Sequence, residues 1–265
     1  MNKPVYVLTF ILLLIISYVT FNIYDKNIVL QKKFIELFTN TTVNNDTQLS
    51  EDYVRNYFNA SNDNVGAHWL RIIKHYLSIP LDNGYGSHQP VLLAASILTG
   101  RHGGPILEMG CGYYSTLLLH EIAVKQQNRY LLSSDTDREW LGKFEANMSS
   151  SMHQFRHINN ESEWDTININ HPRWSMILID HKPGERRTTD IIRLVNVTDV
   201  IIVHDTETAT YYYEEGLSLY PYRYHYTYLG TATDIASKSN GTLIQNIRYL
   251  LELIVSLKVP RLKSI

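Results

Sequence analysis

Apolar positions cluster near the start of the chain, where residues 4–24 contain no charged side chain. A helix of that length spans about 31 Å, enough to cross a hydrocarbon core of about 30 Å. No small-residue cleavage pattern follows, which favours a signal anchor over a cleavable signal peptide. After one short predicted helix, Asn27–Phe38, the chain is rich in Asn, Thr and Asp and lacks apolar periodicity. We therefore expect a cytoplasmic tip and transmembrane anchor at 1–24, a stem at 25–65 and a folded domain at 66–265.

Within this domain, strand-like and helix-like patterns alternate. Trp174–Ile179 and Asp199–Val203 are apolar runs typical of strands buried on both faces of a parallel sheet. Ser115–Gln126 and Arg138–Met148 carry apolar residues at helical spacing. Repeated strand–helix units predict the α/β class, with a doubly wound, mostly parallel sheet and helices on both faces. The other predicted elements are helices at His88–Leu98, Glu185–Val195 and Thr242–Leu257, and strands at Pro105–Met109, Tyr130–Ser133, Gln154–Ile158 and Tyr222–Leu229.

Composition limits the cellular compartments and the classes of partner that fit this chain. A net charge of −2 provides no broad basic face, so we expect no nucleic-acid partner. The single cysteine, Cys111, cannot form an intramolecular disulfide, and no Cys/His cluster in the sequence indicates zinc. Seven N-x-[ST] sequons follow the apolar segment, which favours a luminal domain. They are Asn40, Asn45, Asn59, Asn147, Asn160, Asn196 and Asn240.

The loop after the first strand of the alternating region carries the strongest chemical pattern. Gly110 and Gly112 permit a sharp turn and close backbone approach to a ligand, and the helix beginning near Ser115 offers free N–H groups to an anion. A dinucleotide site prefers a third glycine where Ser115 stands, and has no use for an acid such as Glu108. The second strand ends at Asp135, which suits a bidentate hydrogen bond to ribose hydroxyls. Capping of the next helix is the alternative there, and the one favoured for Asp137.

The segment LEMGCGYYSTLLL, residues 107–119, resembles motif I of the class I S-adenosylmethionine-dependent methyltransferases. It is particularly similar to the small-molecule O-methyltransferases of the catechol and macrolide types. The resemblance covers roughly residues 84–257, and it implies a seven-stranded Rossmann-like sheet and S-adenosylmethionine as methyl donor. It also implies a contact of Glu108 with the methionine end of the donor and an adenine contact at Trp164 and Asp165.

Two further strands each end in an acid, at Asp180 and Asp205. Neighbouring parallel strands would present both carboxylates at one edge of the sheet, where the pair can hold Mg²⁺ next to the transferred methyl group. The O-methyltransferases named above also have acids at these two strand ends. The alternative is a structural role, with these charged residues capping helices or forming ion pairs with Arg186 and Arg187.

This chain departs from the family's pattern at three positions around the acids. Thr206 stands where catechol-type enzymes have Asn, and His204 stands where other relatives have an acid. His204 can replace a metal ligand or act as a general base. Lys182 lies one position away from the place of the family's catalytic lysine. We expect His88 to begin a helix and the tyrosines at 211–213 to pack against the protein. For both, the alternative is that they line the acceptor pocket.

These patterns predict an S-adenosylmethionine-dependent O-methyltransferase acting on a glycan or small-molecule hydroxyl. We expect a single-pass type II membrane protein of the endoplasmic reticulum or Golgi, held by its N-terminal helix. One alternative is a nucleotide-sugar glycosyltransferase using the D-x-D pattern Asp135-Thr136-Asp137. The other is a non-catalytic binding protein with the methyltransferase fold.

Overall fold

The structure is a computed structural model that describes residues 43–58, 63–79, 86–167 and 173–262. The predicted anchor at 1–24 and the predicted helix Asn27–Phe38 lie outside the described residues. Among the helices that the structure describes, none is both long and apolar enough to span a membrane. The chain divides into two compact units, Met1–Ser50 and Glu51–Ile265, and the second contains the sheet.

A seven-stranded sheet forms the centre of the second unit, with strand order β3-β2-β1-β4-β5-β7-β6. Strands β1 to β5 are parallel, whereas β7 runs antiparallel to both of its neighbours. The arrangement confirms the predicted doubly wound, mostly parallel sheet. The strands are β1 Ile106–Met109, β2 Leu131–Asp135, β3 His153–His157, β4 Met176–Ile179, β5 Ile201–His204, β6 Tyr222–Tyr226 and β7 Thr233–Ser237.

The helices largely follow the predicted periodicity. The segment predicted as one helix at Ser115–Gln126 begins as α-helix and continues as π-helix over His120–Gln126. The α-helices are α1 Val43–Phe58, α2 Asp63–Ser78, α3 Gln89–Thr99, α4 Thr116–Leu119, α5 Arg138–Met148, α6 Arg187–Leu194, α7 Tyr213–Leu217 and α8 Gly241–Leu262.

The predicted stem, residues 25–65, includes a described helix. Helix α1 lies in the segment expected to lack regular structure, and its residues from Glu51 onward belong to the compact unit that contains the sheet. Val54 on this helix is fully buried, and the guanidinium of Arg101 lies 5.7 Å from the ring centroid of Tyr57. Burial of Val54 stabilises the helix, although the segment as a whole is polar.

Strand register determines where the loops meet. Met109 at the end of β1 pairs with Ile179 at the end of β4, and Ile179 in turn pairs with Val203 in β5. All residues of these three strands are buried, as expected for central strands of a parallel sheet. The loops that follow the three strands therefore emerge side by side at one edge of the sheet, where ligands bind in such folds.

Candidate active site

The glycine loop after β1 lies directly against the end of β4. Gly110 has φ of +98°, and a Cβ atom there would lie 2.5 Å from the carbonyl carbon and oxygen of Asp180. Its N–H donates a hydrogen bond to the Ser134 carbonyl at 2.8 Å. Because both the φ value and the close contact exclude a side chain, this position requires glycine. The loop predicted to bind the donor and the acid predicted for chemistry are thus in contact.

Glu108 lies beneath the loop and is completely buried. Thr116 Oγ1 donates a hydrogen bond to one carboxylate oxygen at 2.9 Å, and Ser133 Oγ donates to the other at 2.5 Å. The N–H of Gly112 in turn donates to Thr116 Oγ1 at 3.0 Å. Burial raises the pKa of the Glu108 carboxyl to about 7. Glu108 therefore supports the loop from below, and its contact with the methionine end of the donor stays a prediction.

Asp135 at the end of β2 holds the outer part of the same loop. Its Oδ2 accepts a hydrogen bond from the Cys111 N–H at 2.7 Å, and its Oδ1 accepts one from the Asp137 N–H at 2.9 Å. Each oxygen retains acceptor capacity, so these bonds leave room for ribose hydroxyls. Asp137 accepts from the Trp140 N–H at 2.9 Å and caps α5, which confirms its predicted role.

Two other predicted donor-binding residues are buried. Ser115 occupies the N-cap position of α4, and its hydroxyl lies 3.5 Å from the Gly112 carbonyl. Trp164 is completely buried and stacks on the His181 ring, with 4.4 Å between ring centroids. Packing accounts for the position of Trp164, so its predicted adenine contact has no support from the geometry.

Arg187, at the start of α6, lies between the two acids predicted to bind Mg²⁺. Its Nη2 is 3.0 Å from Asp180 Oδ1, and its Nη1 is 3.4 Å from Asp205 Oδ2. Its Nε also donates a hydrogen bond to the His181 carbonyl at 2.7 Å. Both acids thus form the ion pairs with Arg187 that the structural alternative described. Burial raises the pKa of the Asp180 carboxyl to about 7, against the opposing effect of Arg187.

Three side chains from separate segments converge beside this arginine. One ligand atom each of His88, Asp180 and His204 lies within 4.8 Å of the other two. The rings of His88 and His204 are in contact, with 4.2 Å between their centroids. His88 directly precedes α3, so its proximity to the ends of β4 and β5 arises only in the tertiary structure.

The two histidines differ in their partners. His204 Nδ1 is 3.0 Å from Thr233 Oγ1, whereas neither ring nitrogen of His88 has a hydrogen-bond partner. Burial lowers the pKa of His204 to about 4, with a further contribution from Arg187. Burial and the adjacent His204 lower the pKa of His88 as well. Both imidazoles are thus neutral near pH 7, the form that accepts protons and binds metals.

The remaining predicted residue, Lys182, is exposed on the loop that follows Asp180. Sequence reasoning named Arg187 only as an alternative ion-pair partner of the acids, and it did not identify the supporting roles of Thr116 and Ser133. The hydroxyls gave no signal of their own, because their role depends on the strand register that brings them to Glu108.

The sequence matches no family model and no curated protein. Solved structures do resemble it. TomG from Streptomyces achromogenes, an O-methyltransferase of tomaymycin synthesis in complex with S-adenosylmethionine, is 11% identical with a TM-score of 0.46, and the match covers 64% of this chain and 97% of TomG. The methyltransferase PaMTH1 from Podospora anserina, bound to S-adenosylhomocysteine, is 11% identical with a TM-score of 0.41, covering 80% and 96%.

A tRNA (m1A58) methyltransferase, TrmI from Aquifex aeolicus, is 8% identical with a TM-score of 0.41, and the match covers 62% of this chain and 75% of TrmI. TomG acts in tomaymycin synthesis and TrmI is a tRNA methyltransferase, so similarity of fold does not identify a substrate.

Proposed function

We propose that this protein transfers a methyl group from S-adenosylmethionine to a hydroxyl oxygen of a small molecule or glycan. The observation that carries the proposal is the contact of Gly110 with the backbone of Asp180. This contact joins the glycine loop to a cluster of carboxylate and imidazole groups. A donor held by the loop and an acceptor held by the cluster would then meet at one edge of the sheet.

The residues of the loop fit an adenosyl ligand. Gly110 allows close approach of the backbone, and the Asp135 carboxylate keeps acceptor capacity for ribose hydroxyls. S-adenosylmethionine supplies an electrophilic methyl group on a sulfonium. The acceptor oxygen forms the new C–O bond while the C–S bond breaks with its electron pair going to sulfur, and the hydroxyl proton must go to a base. The Asp205 carboxylate at the end of β5, 3.4 Å from His204 Nε2, is the candidate base.

The glycosyltransferase alternative has less support. It requires the carboxylates of Asp135 and Asp137 to bind a metal–diphosphate, but Asp137 caps α5, and the glycine loop with Glu108 would have no role. The non-catalytic alternative predicts donor binding without methyl transfer, so an activity measurement separates it from the proposal.

Calorimetric titration of the purified full-length chain with S-adenosylmethionine, S-adenosylhomocysteine and nucleotide sugars tests the donor. We expect micromolar binding of both adenosyl ligands, and its loss in Asp135→Ala. Asp199→Ala is the matched control and should retain binding, because Asp199 precedes β5 and is ion-paired with Arg173. Binding of nucleotide sugars alone would overturn the proposal. Release of S-adenosylhomocysteine on incubation with panels of phenolic, lipid and glycan acceptors then identifies the acceptor class.

We also propose that the domain lies in the secretory lumen, anchored by residues 1–24. The support comes from the uncharged segment and from three sequons, Asn147, Asn160 and Asn196, whose asparagines are exposed. Expression in animal cells followed by glycosidase digestion should reveal a decrease in mass that is abolished when these asparagines are replaced by Gln. If the chain carries no glycans and is digested by protease added to intact microsomes, the domain lies in the cytosol and the proposal is wrong.

A further inference from the structure

We propose that His88, Asp180 and His204 bind one divalent transition-metal ion, such as Zn²⁺, Mn²⁺ or Fe²⁺, rather than the Mg²⁺ expected from an Asp180–Asp205 pair. For its role in catalysis this site rests on the proposed function, because it lies where the acceptor would bind. Metal binding itself can be measured without any acceptor or donor.

The first argument is the convergence of three ligand atoms. They lie within 4.8 Å of one another, and they come from the segment before α3 and from the ends of β4 and β5. Ligands about 2.1 Å from a metal are about 3.0–3.4 Å apart in octahedral or tetrahedral sites, so even a pair at the 4.8 Å limit would close by only about 1.4–1.8 Å.

The second argument is the unpartnered state of His88. Its side chain is buried, and neither of its ring nitrogens has a hydrogen-bond partner. A buried imidazole without a partner is costly, because it loses its hydrogen bonds to water and gains none in return. A bound metal ion would satisfy one of these nitrogens, and the adjacent His204 and Asp180 would complete the coordination.

Surrounding contacts orient the other two ligands. His204 Nδ1 meets Thr233 Oγ1 at 3.0 Å, whereas Nε2 has only longer contacts, at 3.4 Å, with Thr231 Oγ1 and Asp205 Oδ1, so Nε2 is the nitrogen that would bind the metal. Arg187 contacts Asp180 Oδ1 at 3.0 Å, which leaves Oδ2 for the metal. Hydrogen bonds of this kind fix the orientation of metal-binding side chains.

The chemistry of the ligands selects the class of metal. Imidazole suits zinc, iron and related ions, whereas Mg²⁺ prefers oxygen ligands and retains several waters. Two imidazoles and one carboxylate leave open positions on the ion, and an acceptor hydroxyl can occupy one of them. The guanidinium of Arg187 also lies between Asp180 and Asp205, which disfavours an ion held by those two acids alone.

Metal analysis of the full-length chain tests the site. The protein is treated with chelator, dialysed, and titrated separately with Zn²⁺, Mn²⁺ and Mg²⁺, with the bound ion counted by mass spectrometry. We expect one transition-metal ion per chain and binding of Mg²⁺ at least 100-fold weaker. His88→Gln and His204→Gln should each weaken binding at least 10-fold. His75→Gln, a change at an exposed histidine of α2, is the matched control and should bind as the wild type does.

Cobalt(II) absorption provides a second readout that does not depend on activity. Visible bands characteristic of nitrogen coordination should be present in the wild type and lost in His88→Gln. A ratio of zero ions per folded wild-type chain would overturn the site, as would unchanged affinity in both variants. Thermal melting identifies any variant that fails to fold. In that case the metal affinity of the other variant and the number of ions bound per wild-type chain decide whether the site exists.

Donor titrations on the same samples separate the two proposals. Metal binding without binding of S-adenosylmethionine would support the metal site and contradict the proposed function. Binding of S-adenosylmethionine by a chain that takes up no metal would contradict the metal site and leave the methyltransferase proposal standing.

Discussion

The glycine loop and the β4–β5 edge are adjacent, yet they satisfy their buried polar groups in opposite ways. Under the loop, both carboxylate oxygens of Glu108 accept hydrogen bonds from hydroxyls of the chain. At the β4–β5 edge, both ring nitrogens of His88 lack partners. Buried polar groups in native proteins are normally paired, so an exception points to a ligand. The chain itself therefore completes the contacts of Glu108, whereas the ring nitrogens of His88 are available to the metal ion proposed above.

Removing the guanidinium of Arg187 from the β4–β5 edge should have the largest effect on stability. Arg187→Met leaves Asp180 and Asp205 without their shared partner, and we expect a loss of about 3–4 kcal/mol in the free energy of unfolding. Chemical denaturation measures it. Arg138→Met is the control, because that arginine is largely exposed, and its loss should cost less than about 1 kcal/mol. An equal loss of unfolding free energy in the two variants would contradict a special role of Arg187 at this edge.

Disrupting the close contact between the glycine loop and Asp180 should have a slightly smaller effect on stability, and it should abolish donor binding. Gly110→Ala places a Cβ against the backbone of Asp180 at a positive φ, and we expect a cost of about 2–3 kcal/mol. Gly112→Ala is the control for stability: the nearest protein atom to its new Cβ is Ser115 Oγ at 3.2 Å, so that variant should lose less stability. Unimpaired donor binding in Gly110→Ala would contradict the close approach of the loop to β4.

The buried acid beneath the loop should make stability depend on pH. Because the pKa of Glu108 is about 7 when folded and near 4.5 when unfolded, its contribution is fully present below pH 4.5 and is lost as the pH rises through 7. Glu108→Gln should therefore gain roughly 2 kcal/mol relative to the wild type between pH 5 and 8. Denaturation at several pH values measures this, with the exposed Glu139→Gln as control. A constant difference between Glu108→Gln and wild type would contradict the raised pKa.

Loss of the α5 cap should have the smallest effect. Asp137→Ala removes the acceptor of the Trp140 N–H and should cost about 1 kcal/mol, with donor binding retained because Asp137 is a helix cap. Calorimetry with S-adenosylmethionine provides the comparison with Asp135→Ala. Equal loss of nucleotide-sugar binding in both variants would instead support the glycosyltransferase alternative.

Several features around the site could be predicted from the local sequence pattern. The helix Arg138–Met148 has its predicted bounds, Asp137 is its predicted cap, and the central strands were indicated by their apolar runs. By contrast, β7 was missed because Thr233–Ser237 combines polar and apolar residues that are all buried. Its Asp234 is buried with Arg223 Nε at 2.6 Å and His225 Nδ1 at 2.9 Å, and such pairing depends on β6 lying alongside.

The sequence by itself determined the α/β class, the glycine loop and the two acids at the ends of β4 and β5, because these follow from periodicity and from residues close together in the chain. Only the tertiary structure decided which groups surround those acids. Arg187 enters between them from α6, and His88 arrives from a segment about 90 residues before Asp180. Strand order and register set these distances, and neither is encoded in the spacing of residues along one segment.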